Sequence, residues 1–132
     1  MNNSTLPSKT VKDLRVYKAA YTLAMDIFNV SKSWPAEEKY SLTDQIRRSS
    51  RSVSANLREA WAKRRYEAHF ISKLTDSDAE IAETKTWLAF AKDCGYLNEE
   101  TFKTIHDRCK HVGAMLGSMI KRPYPFLVKT DQ

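Results

Sequence analysis

The feature that most constrains the fold is a span without proline, from residue 39 to residue 121, in a chain of 132 residues. Proline interrupts helices because it lacks a backbone N–H and its ring clashes with the preceding turn. Apolar residues recur at intervals of three and four along the chain, and no alternating strand pattern competes with them. A chain of this length forms one domain around one hydrophobic core. The sequence therefore predicts an all-α, single-domain protein.

The apolar periodicity predicts four helices, joined by short connections. Their expected starts are Lys12 or Asp13, Ser41, Tyr66 and Asn98. The first helix should end before Trp34-Pro35, because the residue before a proline disfavours helical geometry. Gly95 is suited to the left-handed position that ends the third helix, and Asn98 to the N-cap of the fourth. The expected apolar stripe of the first helix consists of Leu14, Tyr17, Tyr21, Leu23, Met25, Phe28 and Val30.

Four amphipathic helices with short connections imply an antiparallel up-and-down four-helix bundle, which we place at residues 12–122. Residues 1–11 are polar and are expected to form a flexible N-terminal segment. Residues 123–132 form a C-terminal tail with an apolar run at 124–128. The sequence leaves two alternatives for this run, which either folds back on the bundle or docks on a partner.

The composition argues against several classes of protein. No stretch approaches the roughly 18 apolar residues of a membrane span, and the N-terminus lacks the apolar core of a signal peptide, so we expect a cytoplasmic protein. Cys94 and Cys109 match no metal spacing and are expected to be buried free thiols. None of the three histidines follows a glutamate at the spacing of di-iron bundles. We therefore expect neither an enzyme nor a cofactor or metal site.

The positive charge of the chain is concentrated in one segment. Between residues 45 and 65, seven basic residues face one acid, and the resulting net charge of +6 equals that of the whole chain. The basic residues are Arg47, Arg48, Arg51, Arg58, Lys63, Arg64 and Arg65. On a continuous helix, Arg47, Arg51, Arg58 and Arg65 would lie within roughly 40° of one another. Such a stripe predicts a docking surface for the phosphate backbone of RNA or DNA, or for an acidic partner.

Nothing in the sequence resembles a module that reads bases, so binding should be directed mostly to the backbone. Trp61, Tyr66 and Phe70 flank the basic segment and could stack on unpaired bases. For Trp61 and Phe70, packing against core or subunit neighbours is the favoured interpretation.

A structural alternative exists for the same arginines. Four acidic residues are candidates for ion pairing with them: Glu59, Asp76, Glu80 and Glu83. For Arg47, Arg48 and Glu83 the structural role is the favoured interpretation. For the remaining basic residues, contact with a nucleic acid or an acidic partner is favoured, because the nearby acids are too few to neutralise them.

Several segments resemble the 23S ribosomal RNA intervening-sequence four-helix-bundle family. They are residues 13–19, residues 42–53, Asn56 with Glu59, Ala82-Glu83 with Thr86, and residues 91–97, and the resemblance covers about residues 12–121. The run at residues 112–120 is also similar to the accessory variability proteins of diversity-generating retroelements. The chain departs from the family in having Ser54 in place of a proline and Ala60 in place of a glycine. Loss of the proline should make the second helix straighter, and Ala60 should carry it further toward residues 63–65.

The resemblance implies a homopentamer, in which five bundles form a barrel around a central channel, and it implies no catalytic activity. The retroelement relatives imply an accessory protein that binds RNA or DNA and a reverse transcriptase. The intervening-sequence relatives imply an alternative, an oligomeric scaffold encoded in an rRNA insertion that does not bind nucleic acid.

Overall fold

Helices make up most of the described chain, which is residues 10–129 of a computed structural model, and no strand is present in this range. The four α-helices are α1 (Arg15–Ser31), α2 (Asp44–Ala62), α3 (Glu67–Asp93) and α4 (Glu99–Lys121). Three 3-10 turns lie at Val11–Asp13, Ala36–Glu38 and Tyr124–Phe126, and a π-helical turn at Lys39–Thr43 leads into α2. The prediction of an all-α four-helix chain is confirmed. The second helix was expected to start at Ser41, but that residue lies in the π-helical turn.

Side-chain contacts between neighbouring helices show that they run antiparallel. Arg47, near the start of α2, bonds to Ser31 at the end of α1, whereas Arg58 lies over Tyr17 at the opposite end of the same pair. Ser49 of α2 is hydrogen-bonded to Thr84 of α3, and Arg108 of α4 is ion-paired with Asp26 of α1. The four helices therefore close into an up-and-down bundle.

The core lies along the bundle axis and receives residues from all four helices. Its fully buried members include Leu23, Ile27, Ile46, Leu57, Phe70, Leu74, Leu88, Val112 and Leu116. The apolar stripe predicted for α1 is partly wrong, because Tyr21 and Met25 are exposed by 56% and 43%. The buried face of α1 instead uses Ala20 and Ala24 beside its larger residues. An apolar side chain on a helix of mixed composition does not by itself identify the buried face.

The end of α3 follows the sequence closely. Gly95 has φ +82°, and its N–H donates to the Lys92 carbonyl while the N–H of Tyr96 donates to the Ala91 carbonyl. These two bonds form the Schellman arrangement, which needs a residue without a β-carbon at the left-handed position. The Asn98 side chain then accepts from the Thr101 N–H at 2.7 Å and begins α4. The predictions for Gly95 and Asn98 are confirmed.

The apolar tail folds back on the bundle, which decides between the two alternatives left by the sequence. Pro123 is buried, the Phe126 ring lies 6.3 Å from that of Phe70, and the Val128 N–H donates to the Arg64 carbonyl at 3.2 Å. At the other terminus, the flexible segment predicted for residues 1–11 lies outside the described residues as far as residue 9. Val11 is 3% exposed and joins the core.

The two cysteines are free and lie in different environments. Cys109 is fully buried, and burial raises the pKa of its thiol to about 11. Cys94 is exposed at the end of α3, so the expectation that both thiols are buried is wrong for this residue.

Candidate nucleic-acid interface

Arg47 fastens the start of α2 to the end of α1. Its Nε donates to Ser31 Oγ at 2.8 Å, and Nη2 donates to the Phe28 carbonyl at 3.4 Å. The guanidinium carbon lies 4.8 Å from the centre of the Phe28 ring. Carbonyl groups in the last turn of a helix lack partners within the helix, so a cation that reaches them stabilises that end. Arg47 thus has a structural contact, although its partners are not the acidic residues considered from the sequence.

Arg51 and Arg58 extend the same edge of α2 and lie over aromatic rings of α1. The guanidinium carbon of Arg51 is 5.7 Å from the Phe28 ring centre, and that of Arg58 is 5.7 Å from the Tyr17 ring centre. Arg58 also donates to Tyr17 Oη at 3.4 Å. Neither arginine forms an ion pair with any of residues 10–129. A ring attracts a cation without neutralising it, so both charges remain available, and we call Arg47, Arg51 and Arg58 the arginine ridge.

A shallow depression lies beside the arginine ridge on α2. It is lined by Asp44, Arg47, Arg48, Arg51, Ser52 and Ala55. Three guanidinium groups and one carboxylate therefore border it, so its lining favours an anionic group over a cationic one.

The remaining basic residues of the segment lie in a turn. α2 ends at Ala62, and residues 63–66 connect it to α3. Arg64 stacks on Trp61 at 4.0 Å and donates from Nη1 to the Trp61 carbonyl at 3.0 Å. Lys63 and Arg65 are exposed and have no ion pair within the described range. We call residues 63–65 the basic turn. The expectation that Arg65 continues the stripe of Arg47, Arg51 and Arg58 is wrong, because the helix stops three residues before it.

Arg48 has the structural partner that the sequence suggested. Its Nη2 lies 2.9 Å from Glu83 Oε1 of α3, and the same oxygen accepts from Trp87 Nε1 at 3.3 Å. The Arg48 side chain is 57% exposed, so this pair contributes little to stability. Its main effect is to neutralise one arginine next to the ridge.

Glu59 and Asp76 pair with a lysine and not with the arginines. Lys73 Nζ lies 3.0 Å from Glu59 Oε2 and 3.3 Å from Asp76 Oδ2. The hydrogen bond to Glu59 is the largest cause of a raised pKa of Lys73, and Asp76 adds to it. Because Lys73 engages both carboxylates, they do not compensate the arginine ridge.

Glu80 makes no ion pair with any of residues 10–129, so the ion pairing predicted for it is not present within a single chain. Its Oε2 is buried and has no hydrogen-bond partner. Burial is the main cause of a raised pKa of this carboxyl group, and the neighbouring Glu83 raises it further. The charge of Arg48 lowers the pKa of Glu80 in part, although the two side chains form no ion pair.

The fold adds basic residues that sequence reasoning missed. An antiparallel bundle places the start of α1, the α2–α3 connection and the end of α4 at one end of the molecule. Exposed cations from these segments therefore lie at the same end of the bundle as the basic turn: Lys12, Arg15, Lys121, Arg122 and Lys129. The tail places Lys129 there through the bond from the Val128 N–H to the Arg64 carbonyl. The predicted up-and-down topology implies that these cations lie at one end of the bundle, but the spacing of residues along a single helix does not.

The aromatic residues that flank the basic turn have different environments. Phe70 is 1% exposed and belongs to the core, so it is not available to a base. Trp61 is half-buried beneath Arg64. Tyr66 is 60% exposed, with its ring 5.5 Å from that of His69 in an edge-on arrangement. Of these three residues, Tyr66 alone presents a largely open ring.

A second surface, on α3, was also missed. Seven exposed, uncharged residues follow one another at alternating intervals of four and three, and we call them the α3 outer face: Ala68, Ser72, Thr75, Ala79, Ala82, Thr86 and Ala89. Phe90 lies next to this row and is 54% exposed. Alternating intervals of four and three form the seam along which two helices pack in a coiled coil. The spacing of this row is visible in the sequence. It was missed because the larger apolar residues of α3 had been assigned to the core, and a second row of small residues was not sought.

Two further observations concern metals and membranes. No group of three or more potential metal ligands occurs within residues 10–129. No helix in the same range has the length and apolar character needed to cross a bilayer.

Comparison with known proteins places the chain in a family. The family model described as 23S rRNA-intervening sequence protein matches residues 12–118. The chain belongs to the 23S rRNA-intervening sequence protein family. A solved structure of a protein of unknown function from the S23 ribosomal protein family of Bacteroides thetaiotaomicron VPI-5482 is 32% identical to it, with a TM-score of 0.73. The similarity covers 80% of this chain and 95% of the Bacteroides protein. No curated protein matches the chain.

Proposed function

We propose that this member of the 23S rRNA-intervening sequence protein family is a non-enzymatic accessory protein that forms a homo-oligomer and binds RNA or DNA. The observation that carries the proposal is the lack of a carboxylate partner for Arg51, Arg58, Lys63 and Arg65 among residues 10–129. Lys73 engages Glu59 and Asp76, and Arg48 engages Glu83. Asp44 borders the depression beside Arg51 but forms no ion pair with it. Uncompensated cations on one face attract a polyanion, and phosphate contacts dominate the affinity of such binding.

Binding of this kind should be directed to the backbone and depend strongly on salt. Each phosphate that a cation neutralises releases counterions, so the logarithm of affinity falls with the logarithm of salt by about 0.7 to 0.9 per contact. The ridge and the basic turn lie on one edge of the bundle and continue into the cations at its end. Several phosphates along one strand can therefore be contacted at once.

Self-assembly is the second part of the proposal. The family resemblance implies a homopentamer, and the α3 outer face supports contact between copies, because small uncharged residues let two helices approach closely. This face lies on a different side of the bundle from the α1–α2 edge that carries the ridge. Assembly through α3 would leave the ridge of each subunit open and multiply its charge by the number of subunits. Sedimentation equilibrium or native mass spectrometry measures that number.

The most specific form of the proposal is an accessory subunit that holds RNA or DNA beside the reverse transcriptase of a diversity-generating retroelement. It rests on the similarity of residues 112–120 to such accessory proteins. A neighbouring reverse-transcriptase gene with a template repeat would support it. Co-purification of the two proteins from cells that express both would test the contact directly.

The alternative is an oligomeric scaffold that does not bind nucleic acid, and the α3 outer face is the observation that favours it. In that case the basic residues would serve contacts between subunits. The two functions differ in what removal of charge does. The scaffold loses its assembly, whereas the nucleic-acid-binding protein keeps its assembly and loses its ligand.

The deciding experiment is a salt titration of binding to a labelled RNA and to a labelled DNA duplex, read by fluorescence anisotropy. The variant Arg51→Gln/Arg58→Gln removes two uncompensated cations. The matched control, Lys39→Gln/Lys110→Gln, removes the same charge from exposed lysines away from the ridge. We expect measurable affinity for the unaltered protein, a marked loss with a salt slope shallower by roughly 1.4 to 1.8 for the ridge variant, and little change for the control. Lack of binding at low salt, or equal losses for the two variants, would refute the proposal.

A further inference from the structure

An aromatic and apolar row runs along α1 beside the arginine ridge. It consists of Tyr17, Tyr21, Met25 and Phe28, spaced four, four and three residues apart, so the four side chains share one side of the helix. Tyr21 and Met25 are exposed by 56% and 43%, and the Tyr17 and Tyr21 rings lie 6.3 Å apart. We call these four residues the α1 row.

The row and the ridge are in register. Arg58 lies over Tyr17 at one end, and Arg51 lies over Phe28 at the other, so Tyr21 and Met25 occupy the interval between the two guanidinium groups. Eleven residues of helix separate the ends, a length of about 16 Å at 1.5 Å per residue. At about 3.4 Å for each nucleotide of a stacked strand, this distance matches about four or five nucleotides.

Asp26 is the acidic residue of α1, and it pairs with Arg108 of α4 on the side of the helix that also carries Asn29. On the side of the row, Lys18 and Lys32 are exposed, and Lys32 Nζ lies 4.8 Å from the centre of the Phe28 ring. Asp44 of α2 borders the Phe28 end, in a depression that three arginines share. The surface therefore joins cations to an open tyrosine ring, with one carboxylate at its edge.

Resting on the proposed function, we propose that the arginine ridge and the α1 row together bind single-stranded nucleic acid. Its phosphates lie on Arg51 and Arg58, and an unpaired base stacks on Tyr21. Proteins that hold single strands combine a basic groove with aromatic side chains on which bases stack. A duplex offers its phosphates to the ridge but keeps the faces of its bases inside the stack, so it leaves Tyr21 and Met25 unused.

A second copy of the chain fits this surface less well. The same surface of another copy would bring two sets of uncompensated arginines together, as happens at a two-fold interface. The α3 outer face of another copy offers the ridge one carboxylate near its end, Asp93 beside Thr86 and Ala89, which is too few for three arginines. The occupant that satisfies both the cations and the open ring is an anion that carries flat apolar groups.

The test compares three labelled oligonucleotides of about 12 nucleotides, which is within the site sizes of single-strand binders. They are a single strand, its duplex, and an abasic strand with the same number of phosphates. The single strand is made both as RNA and as DNA. The protein variants are Tyr21→Leu, which removes the ring but stays apolar, and the control Tyr40→Leu, which alters a tyrosine that is 74% exposed away from the row.

We expect the single strand to bind about five- to tenfold more tightly than the abasic strand, and more tightly than the duplex. Tyr21→Leu should abolish most of that advantage while leaving the affinity for the abasic strand and the salt slope unchanged. Tyr40→Leu should change neither.

Each other outcome overturns the inference. Equal affinity for the three ligands, with a salt slope that still depends on Arg51 and Arg58, refutes single-strand binding and leaves the proposed function in place. A change of oligomeric mass in Tyr21→Leu, measured by sedimentation, would assign the α1 row to contact between copies. Lack of binding to all three ligands would remove the proposed function as well.

Discussion

The same substitution should affect different properties at Arg47 and at Arg51, although both side chains lie over the ring of Phe28. Arg47→Gln removes the bond to Ser31 Oγ at 2.8 Å, the longer bond to the Phe28 carbonyl at 3.4 Å, and a ring contact at 4.8 Å. Arg51→Gln removes a ring contact at 5.7 Å from an exposed side chain. The first change is therefore expected to affect the stability of the fold, and the second the affinity for nucleic acid.

The magnitudes follow from these contacts. A hydrogen bond from a charged donor contributes about 1.5 to 3 kcal/mol and an exposed cation–π contact about 0.5 to 1 kcal/mol. Glutamine and water recover part of this, so we expect Arg47→Gln to lower the free energy of unfolding by about 1.5 to 2 kcal/mol. Arg51→Gln should lower it by about 0.5 kcal/mol or less. For a chain of this size, 1 kcal/mol corresponds to roughly 3 to 5 °C in Tm.

The assay is chemical denaturation followed by far-UV circular dichroism at a fixed concentration of chains, because the proposed assembly would make apparent stability depend on concentration. Ser31→Ala supplies a second test. If Arg47 acts through the Ser31 hydroxyl, the double variant should lose less stability than the sum of the single variants. In the binding assay, Arg51→Gln should reduce the salt slope by about 0.7 to 0.9. Equal stability of Arg47→Gln and Arg51→Gln, together with additive losses for Arg47 and Ser31, would refute this division of roles.

Three further predictions concern the bundle itself. The Ser49 and Thr84 hydroxyls share a buried hydrogen bond of 2.8 Å, so Ser49→Ala should cost about 1 kcal/mol. By denaturant titration, Ser49→Ala/Thr84→Val should cost less than the sum of the two single changes. Glu80→Gln should raise stability slightly at neutral pH, by less than about 1 kcal/mol because solvent screens the charge. This gain in stability should vanish on acidification. The pKa of Glu80 is raised in the folded chain, so the folded chain binds a proton at this carboxylate more readily than the unfolded chain does. Melting curves of both proteins from neutral to acid pH measure the difference. Gly95→Ala should lower stability by about 1 kcal/mol through backbone strain alone, because nothing lies within 4 Å of the added β-carbon; an unchanged Tm would contradict it.

The elements that the sequence predicted correctly are those determined by local chemistry. Gly95 and Asn98 act within a few residues of themselves, through a left-handed backbone and a side-chain cap. The bundle follows from apolar residues repeated at the period of a helix. These signals need no information from distant parts of the chain, so they can be read one segment at a time.

The end of α2 shows what local chemistry leaves out. Residues 60–65 contain good helix formers and no breaker, so the sequence predicts that the helix continues through the basic residues. The helix instead stops at Ala62, and the Arg64 carbonyl accepts from Val128 of the tail. A segment more than 60 residues away thus contacts the turn that removes Arg65 from the ridge. The ion-pair partners of the acids could not be predicted from the sequence either, because Glu59 of α2 pairs with Lys73 of the neighbouring helix α3.

Helices α1 and α3 each expose uncharged side chains that the core does not use, and the two sets of side chains differ in chemistry. On α1 the set is aromatic, and it borders guanidinium groups that have no carboxylate among residues 10–129. On α3 it is made of small residues at the spacing of a helix seam. A seam of alanines offers shape but no charge, so it suits another helix and holds no polyanion. A tyrosine between two arginines offers charge and a flat ring, so it suits a nucleotide. Substitutions on the two surfaces should therefore have independent effects. Substitution of Ala79 and Ala82 by glutamate should prevent the proposed assembly, but it should leave the affinity of a single chain for a short oligonucleotide unchanged.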